Sequence, residues 1–259
     1  MMDQKTIETW LPKLCDAARE AGALEMKYYR EGFETIEKND GSPVTIADQE
    51  AEKIIIAALL EVAPDIPIVA EEEVAAGNIP DISGGIYWLV DPLDGTKQFV
   101  QRSGEFTVNI ALMVNDEPVM GIVYAPAIDE LFYGCGDKAY CEIKGNAPVE
   151  ICTRAVPEEG LTVVASRSHS KNEKMQEFLK GKNVASTAFR GSSLKIVEIA
   201  AGRADLYPRF APTSEWDIAA GHAVLNAAGG KITQLDGSKF GYGKAANKFL
   251  NPHFIVSGK

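Results

Sequence analysis

The stretch Trp88-Leu89-Val90-Asp91-Pro92-Leu93-Asp94-Gly95-Thr96 runs an apolar strand into a turn with two carboxylates, then a glycine and a threonine. Pro92 lacks an N–H and has a fixed φ, so the strand is expected to end there. Asp91 and Asp94 repel each other at that strand end, and the nearest cation in sequence is Lys97. Such a pair calls for a proton or a bound cation. Thr96 to Gln101 reads as a short helix, and free N–H groups at a helix start attract anions. Cation-binding oxygens beside an anion-binding backbone point to metal-assisted phosphate chemistry.

Upstream, apolar residues from Ile7 to Tyr28 recur at helical spacing over residues 4 to 30. A second helix is expected from Ile46 to Val62 with Thr45 as N-cap. Pro67 to Ala70 reads as a strand running into Glu71-Glu72-Glu73. Downstream, Phe106–Val114, Val119–Tyr124, Glu130–Tyr133 and Ala139–Ile143 read as an antiparallel meander, with Asn115-Asp116-Glu117-Pro118 as one of its turns. Beyond Pro157 the pattern alternates. Strands are expected at Leu161–Ala165, Val184–Ala188, Ala204–Tyr207, Lys231–Gln234 and Phe254–Ser257. Helices are expected at Lys171–Leu179, Ser193–Ala201 and Glu215–Ala228. That alternation implies a more parallel, helix-covered sheet. Two subdomains are therefore expected, 1–155 and 156–259.

The 259 residues carry a formal charge of -11. That balance argues against polymeric nucleic acid and anionic membrane surfaces, which attract Lys and Arg. The longest apolar run, Ile54 to Leu60, is far too short to span a bilayer. Cys15, Cys135, Cys141 and Cys152 show no CxxC spacing, and His169, His222 and His253 are scattered. Reduced cysteines in a cytoplasmic protein are the expectation, and a histidine-rich metal centre is not.

Asp48, Glu71–Glu72, Asp91/Asp94 and Asp217 stand at strand or helix ends, and each has a purely structural alternative. Ser214 and Asp217 have capping-box spacing, as do Thr45 and Asp48. The glutamate run fits a solvated loop. Asp91 fits a turn start, although Asp94 then adds repulsion without a turn role. Taken together, carboxylates without His or Cys select hard cations, Mg²⁺ above all. Gly191-Ser192-Ser193 fits a helix N-cap, Lys195 an exposed helix residue and His169 a loop residue. Arg209, with five fixed donors after Pro208, is better placed to meet a phosphate.

Ala70-Glu71-Glu72, Asp91-Pro92-Leu93-Asp94-Gly95-Thr96 and Trp216-Asp217-Ile218-Ala219-Ala220-Gly221 together resemble the lithium-sensitive, Mg²⁺-dependent phosphatase superfamily. That superfamily holds inositol monophosphatases, fructose-1,6-bisphosphatases and 3'(2'),5'-bisphosphate nucleotidases. The resemblance covers nearly the whole chain. It is closest to the bacterial nucleotidase branch, through Lys97-Gln98-Phe99, Gly104 to Asn109, Ser166-Arg167-Ser168-His169, Gly191 to Lys195, Leu206 to Arg209 and Phe249 to Pro252. Arg190 and Ala211 depart from its commonest pattern.

This resemblance implies an αβαβα sandwich in the α/β class and two or three Mg²⁺ ions per site. It makes Glu71, Asp91, the Leu93 carbonyl, Asp94 and Asp217 metal ligands. Asp48 and Thr96 would orient the attacking water, and with Glu71 they form the catalytic set. Gly95 and Thr96 would seat the phosphate, while Ser166, His169, Gly191, Lys195 and Arg209 would contact the nucleotide. The implied reaction is hydrolysis of 3'-phosphoadenosine 5'-phosphate, or of its phosphosulfate analogue, by a cytoplasmic monomer or homodimer. The implied partner is a small nucleotide, with no nucleic-acid polymer and no integral membrane segment. An inositol or sugar monophosphatase sharing the metal site is the alternative. A non-catalytic metal and nucleotide sensor is the alternative of another class.

Overall fold

The computed structural model describes residues 2–33, 35–37, 43–167 and 173–259. Its first elements are α1 (Gln4–Glu31), β1 (Thr35–Glu37), β2 (Pro43–Thr45) and α2 (Ile46–Val62). The expected cap at Thr45 is present, with Thr45 and Asp48 forming a reciprocal capping box.

A seven-stranded sheet follows from β3 (Ile68–Ala70), β4 (Ile86–Asp94), β5 (Thr107–Val114), β6 (Glu117–Ala125), β7 (Glu130–Cys135), β8 (Lys138–Ile143) and β9 (Val149–Ile151), in that spatial order. Two five-residue helices interrupt it, α3 (Glu71–Ala75) and α4 (Thr96–Val100). Residues alternate between its faces, as a pleated strand requires. Trp88 and Val90 of β4, with Val108, Ile110 and Leu112 of β5, join α1 and α2 in one core. Tyr87, Leu89, Ala111 and Met113 point the other way into a second core.

That second core is shared with a five-stranded sheet of β10 (Leu161–Ala165), β11 (Val184–Phe189), β12 (Leu206–Arg209), β13 (Lys231–Gln234) and β14 (Phe254–Ser257), ordered β11-β10-β12-β14-β13. Between the sheets lie α6 (Leu194–Ala200) and α7 (Trp216–Ala227). The helix α5 (Glu173–Leu179) sets Phe178 against Phe210, just past the end of β12. The layering is αβαβα. A Cβ on Gly121 of β6 would collide with the Ala220 carbonyl, so glycine lets α7 lie directly on the first sheet.

Three sequence expectations need correction. The second sheet is mixed: β10 pairs parallel with β11 and β12, but β14 pairs antiparallel with β12 and β13. The meander turn is only Asn115-Asp116, both with positive φ, and Pro118 already pairs with Met113. Both residues tolerate the left-handed region, which gives the tight hairpin its twist. Pro92 does not end its strand, for reasons that shape the site.

Candidate active site

Strand β4 continues past Pro92 because the ladder absorbs it in a bulge. Asp91 pairs with Asn109 and Asp94 with Thr107, so Pro92 and Leu93 are looped out between two rungs. Proline has no donor to offer the ladder, and a bulge removes the need for one. The Leu93 N–H is turned onto Asp91 Oδ1 at 3.0 Å. Gly95 then adopts φ +97°, a left-handed conformation that starts α4. That helix is anchored by Phe99, fully buried with its ring 5.0 Å from Phe106 and 4.7 Å from Phe33. Losing such an aromatic anchor costs about 3–5 kcal/mol.

Asp48 has a structural and a site-facing role at once. Its Oδ2 accepts the Thr45 N–H at 2.8 Å and the Thr45 hydroxyl at 2.7 Å. Its Oδ1 accepts the Thr96 hydroxyl at 3.1 Å, with the Leu93 carbonyl 3.3 Å from that same hydroxyl. Burial pushes the Asp48 carboxyl up from its usual range, against the Thr45 hydrogen bonds that lower it, and the charge of Glu71 raises it further. Glu71 is placed by β3, which pairs parallel with β4 so that Ala70 lies beside Val90. One residue on, Glu71 stands alongside Asp91. The glutamate run is not the solvated loop of the structural alternative but the first turn of α3.

Asp217 arrives from the first turn of α7 and accepts the Ser214 N–H at 2.9 Å. Ser193 takes the N-cap position of α6, the structural alternative for Gly191-Ser192-Ser193, but makes no side-chain capping bond. Instead the Ser192 hydroxyl donates to Asp94 Oδ2 at 2.6 Å. Ser193 Oγ lies 2.6 Å from the Asp217 carbonyl and 3.1 Å from Asp94 Oδ2, and accepts from Asn109 Nδ2 at 3.0 Å. These polar contacts join β4, β5 and α7.

The acids form one electrostatic group. Asp91, 1% exposed, has its carboxyl held well above the usual range, first by burial and then by Glu71, Asp94 and Asp217. Asp217 is raised by burial and by the charges of Asp94 and Glu71. Among the described residues no Lys or Arg pairs with Asp91, Asp94 or Asp217 within 4.0 Å. No three of His, Cys, Asp or Glu among the described residues converge closely enough to enclose a metal ion. An all-oxygen donor set that includes the buried Asp91 fits a hard divalent cation.

Asp94, Gly95, Asp217 and Ser166 line a cleft of about 370 Å³ together with Lys195 and Arg209. Lys195 is not the exposed helix residue of the structural alternative. It is 7% exposed, lies 5.6 Å from the Tyr207 ring centroid, and burial lowers its pKa to about 8 against the pull of Asp94. Arg209 donates to the carbonyls of Ala211 at 3.1 Å and Pro212 at 3.0 Å, which fixes its fork at the cleft wall. Gly191 is buried against the Glu105 carbonyl and is not among the cleft-lining residues. His169 lies outside the described residues.

Residues 6–254 match the family model of the inositol monophosphatase family. The chain belongs to the inositol monophosphatase family. Within it, the chain is 42% identical over 250 residues to the 3'(2'),5'-bisphosphate nucleotidase CysQ of Salmonella typhimurium, covering 95% of this chain and 99% of that one. It is 32% identical to the inositol-1-monophosphatase of Bacillus subtilis, covering 93% and 88%. The crystal structure of CysQ from Bacteroides thetaiotaomicron superposes with a TM-score of 0.79 at 38% identity, covering 95% and 96%.

Several residues that support this family site carried little signal in the sequence. Thr107 and Asn109 sit at alternate positions of the otherwise apolar β5, and that interruption is the one trace they leave. Glu52 appears only as one more acid in an acidic helix. Ser193 and Tyr207 lie within motifs that assign them no part in the site.

Proposed function

We propose that this chain removes the 3'-phosphate of 3'-phosphoadenosine 5'-phosphate, giving AMP and phosphate, with Mg²⁺ as cofactor. One observation carries the reading. The Thr96–Asp48 hydrogen bond stands beside the acids, and Lys195 and Arg209 line one cleft with Asp94 and Asp217. An acid-lined end that accepts cations suits the reacting phosphate, and fixed cations farther along suit a second phosphate. The Salmonella relative bears the name of a bisphosphate nucleotidase.

Glu71, Asp91, the Leu93 carbonyl, Asp94 and Asp217 would hold Mg²⁺, which supplies Lewis acidity and neutralises the phosphate. Thr96 orients the attacking water, and Asp48, by accepting the Thr96 proton, fixes which lone pair faces it. Burial raises the proton affinity of Asp48, which suits a group on the path of the departing water proton. The water oxygen bonds to phosphorus as the bond to the ribose 3'-oxygen breaks. Gly95 and Thr96 seat the phosphate oxygens through the backbone at the start of α4. Lys195 and Arg209 hold the second phosphate, with Ser166 and His169 at the nucleoside. In this reading residues 1–155 supply most metal ligands and 156–259 the substrate contacts.

Phosphate release with Mg²⁺ should favour bisphosphorylated adenosine, or its phosphosulfate analogue, over inositol phosphate. A preference for inositol phosphate would transfer the assignment to the monophosphatases. Tight nucleotide binding without phosphate release would make the protein a sensor.

A further inference from the structure

Glu52 lies one helical turn beyond Asp48 on α2 and is 3% exposed. Its Oε2 accepts the Glu72 N–H at 2.8 Å, and its Oε1 accepts the Glu73 N–H at 3.1 Å. These are orphan donors at the start of α3, whose own N-cap residue, Ala70, has no side-chain acceptor. A five-residue helix has little stability of its own, so its direction depends on what holds its ends. Here the hold comes from another helix. It also brings a buried carboxylate against Glu72 and Glu73, whose charges repel it. Among the described residues no Lys or Arg pairs with Glu52 within 4.0 Å. A neutral cap would satisfy one of these N–H groups at lower electrostatic cost, whereas a carboxylate grips two in parallel.

We propose that Glu52 is a positioning residue that fixes Glu71 relative to Asp48. Glu71 sits at the joint between β3 and α3. The ladder with β4 fixes the backbone on one side, and Glu52 fixes it on the other. Because Asp48 and Glu52 share one face of α2, the same helix sets the water-orienting pair and the direction of the Glu71 carboxylate. The inference rests on the proposed metal role of Glu71.

The test is calorimetric titration of Mg²⁺ alone into the wild-type protein, Glu52→Gln and Glu52→Ala, with thermal unfolding recorded in parallel. Removing a partner that orients a metal ligand weakens metal affinity by about 10–100-fold. Glu52→Ala is expected near the upper end, and Glu52→Gln, which keeps one acceptor, near the lower. The Mg²⁺ concentration giving half-maximal phosphate release should rise in the same order, while KM for substrate at saturating Mg²⁺ stays close to wild type. Wild-type Mg²⁺ affinity in both variants, even with lowered thermal stability, overturns the proposal. If Glu52→Ala does not fold, Glu52→Gln decides alone. Wild-type protein that binds Mg²⁺ but releases no phosphate defeats the phosphatase reading and leaves the titration to judge Glu52. Wild-type protein that binds no Mg²⁺ defeats both.

Discussion

The cleft sets two kinds of construction against each other. The acidic side, from β4, α2 and α7, buries carboxylates that no lysine or arginine neutralises among the described residues, and backbone ladders and helix caps hold them. The basic side carries Lys195 and Arg209, whose partners are main-chain carbonyls and an aromatic ring. Secondary structure carries both sides, since Lys195 stands on α6 and Arg209 at the end of β12. The difference lies in what surrounds each charge: the acids crowd one another, whereas the two cations rest against neutral carbonyls and a ring.

Breaking the acidic side should have the largest effect. Asp94→Asn or Asp217→Asn removes charge from a shared cation site worth several kcal/mol, so turnover should fall about a hundredfold or more. Near-normal turnover at saturating Mg²⁺ would refute those ligand roles. On the basic side, Lys195→Gln or Arg209→Gln should act mainly through KM. Charge-assisted hydrogen bonds of about 1.5–3 kcal/mol correspond to roughly a tenfold to hundredfold rise for a bisphosphorylated nucleotide. A nucleoside 3'-monophosphate should be nearly unaffected, and an equal loss on both substrates would place the two cations elsewhere in the reaction.

Ser193 touches both Asp94 and the Asp217 carbonyl, so it sharpens the contrast. Ser193→Ala should lower turnover about tenfold, consistent with roughly 1–1.5 kcal/mol from a lost hydrogen bond, and change KM little. A KM effect alone would assign it to recognition.

The smallest effect on catalysis separates the fold from the site. His222 of α7 is buried with Nδ1 2.9 Å from the Tyr242 hydroxyl, and burial pushes its pKa down to about 3. An unfolded chain, titrating at the ordinary 6.5, binds this proton first as pH falls. Stability should therefore decline from about pH 6.5 toward pH 3, by up to about 1.4 kcal/mol per pH unit. His222→Phe should flatten that limb in urea unfolding across pH and leave Mg²⁺ affinity alone; an unchanged slope would clear His222 as its source.

Local signals gave the elements and the motif residues. Thr45 and Asp48 read as a cap because capping follows a spacing of three residues, and α2 begins where that rule puts it. Spacing alone could not reveal that Asp48 also meets Thr96, 48 positions away, and only the family resemblance paired the two. The bulge at Pro92 was hidden for a related reason. A proline signals the end of pairing unless the partner strand resumes it, and Thr107 does so from a distant part of the chain. Lys195 looked solvent-facing by helical pattern, and only the layer of β12 above α6 buries it.

The rungs on either side of Pro92 have a consequence for variation in this chain. Because Asp91 is tied to Asn109 and Asp94 to Thr107, the span between the two carboxylates is measured out by the opposite strand. Chain length is thus fixed by the ladder, as the identity of Leu93 is fixed by its burial with Ala47, Phe99 and Phe106. Adding or deleting one residue between Thr107 and Asn109 would slide one carboxylate to the other face of the sheet. Such a change would disable the site with every acid still present.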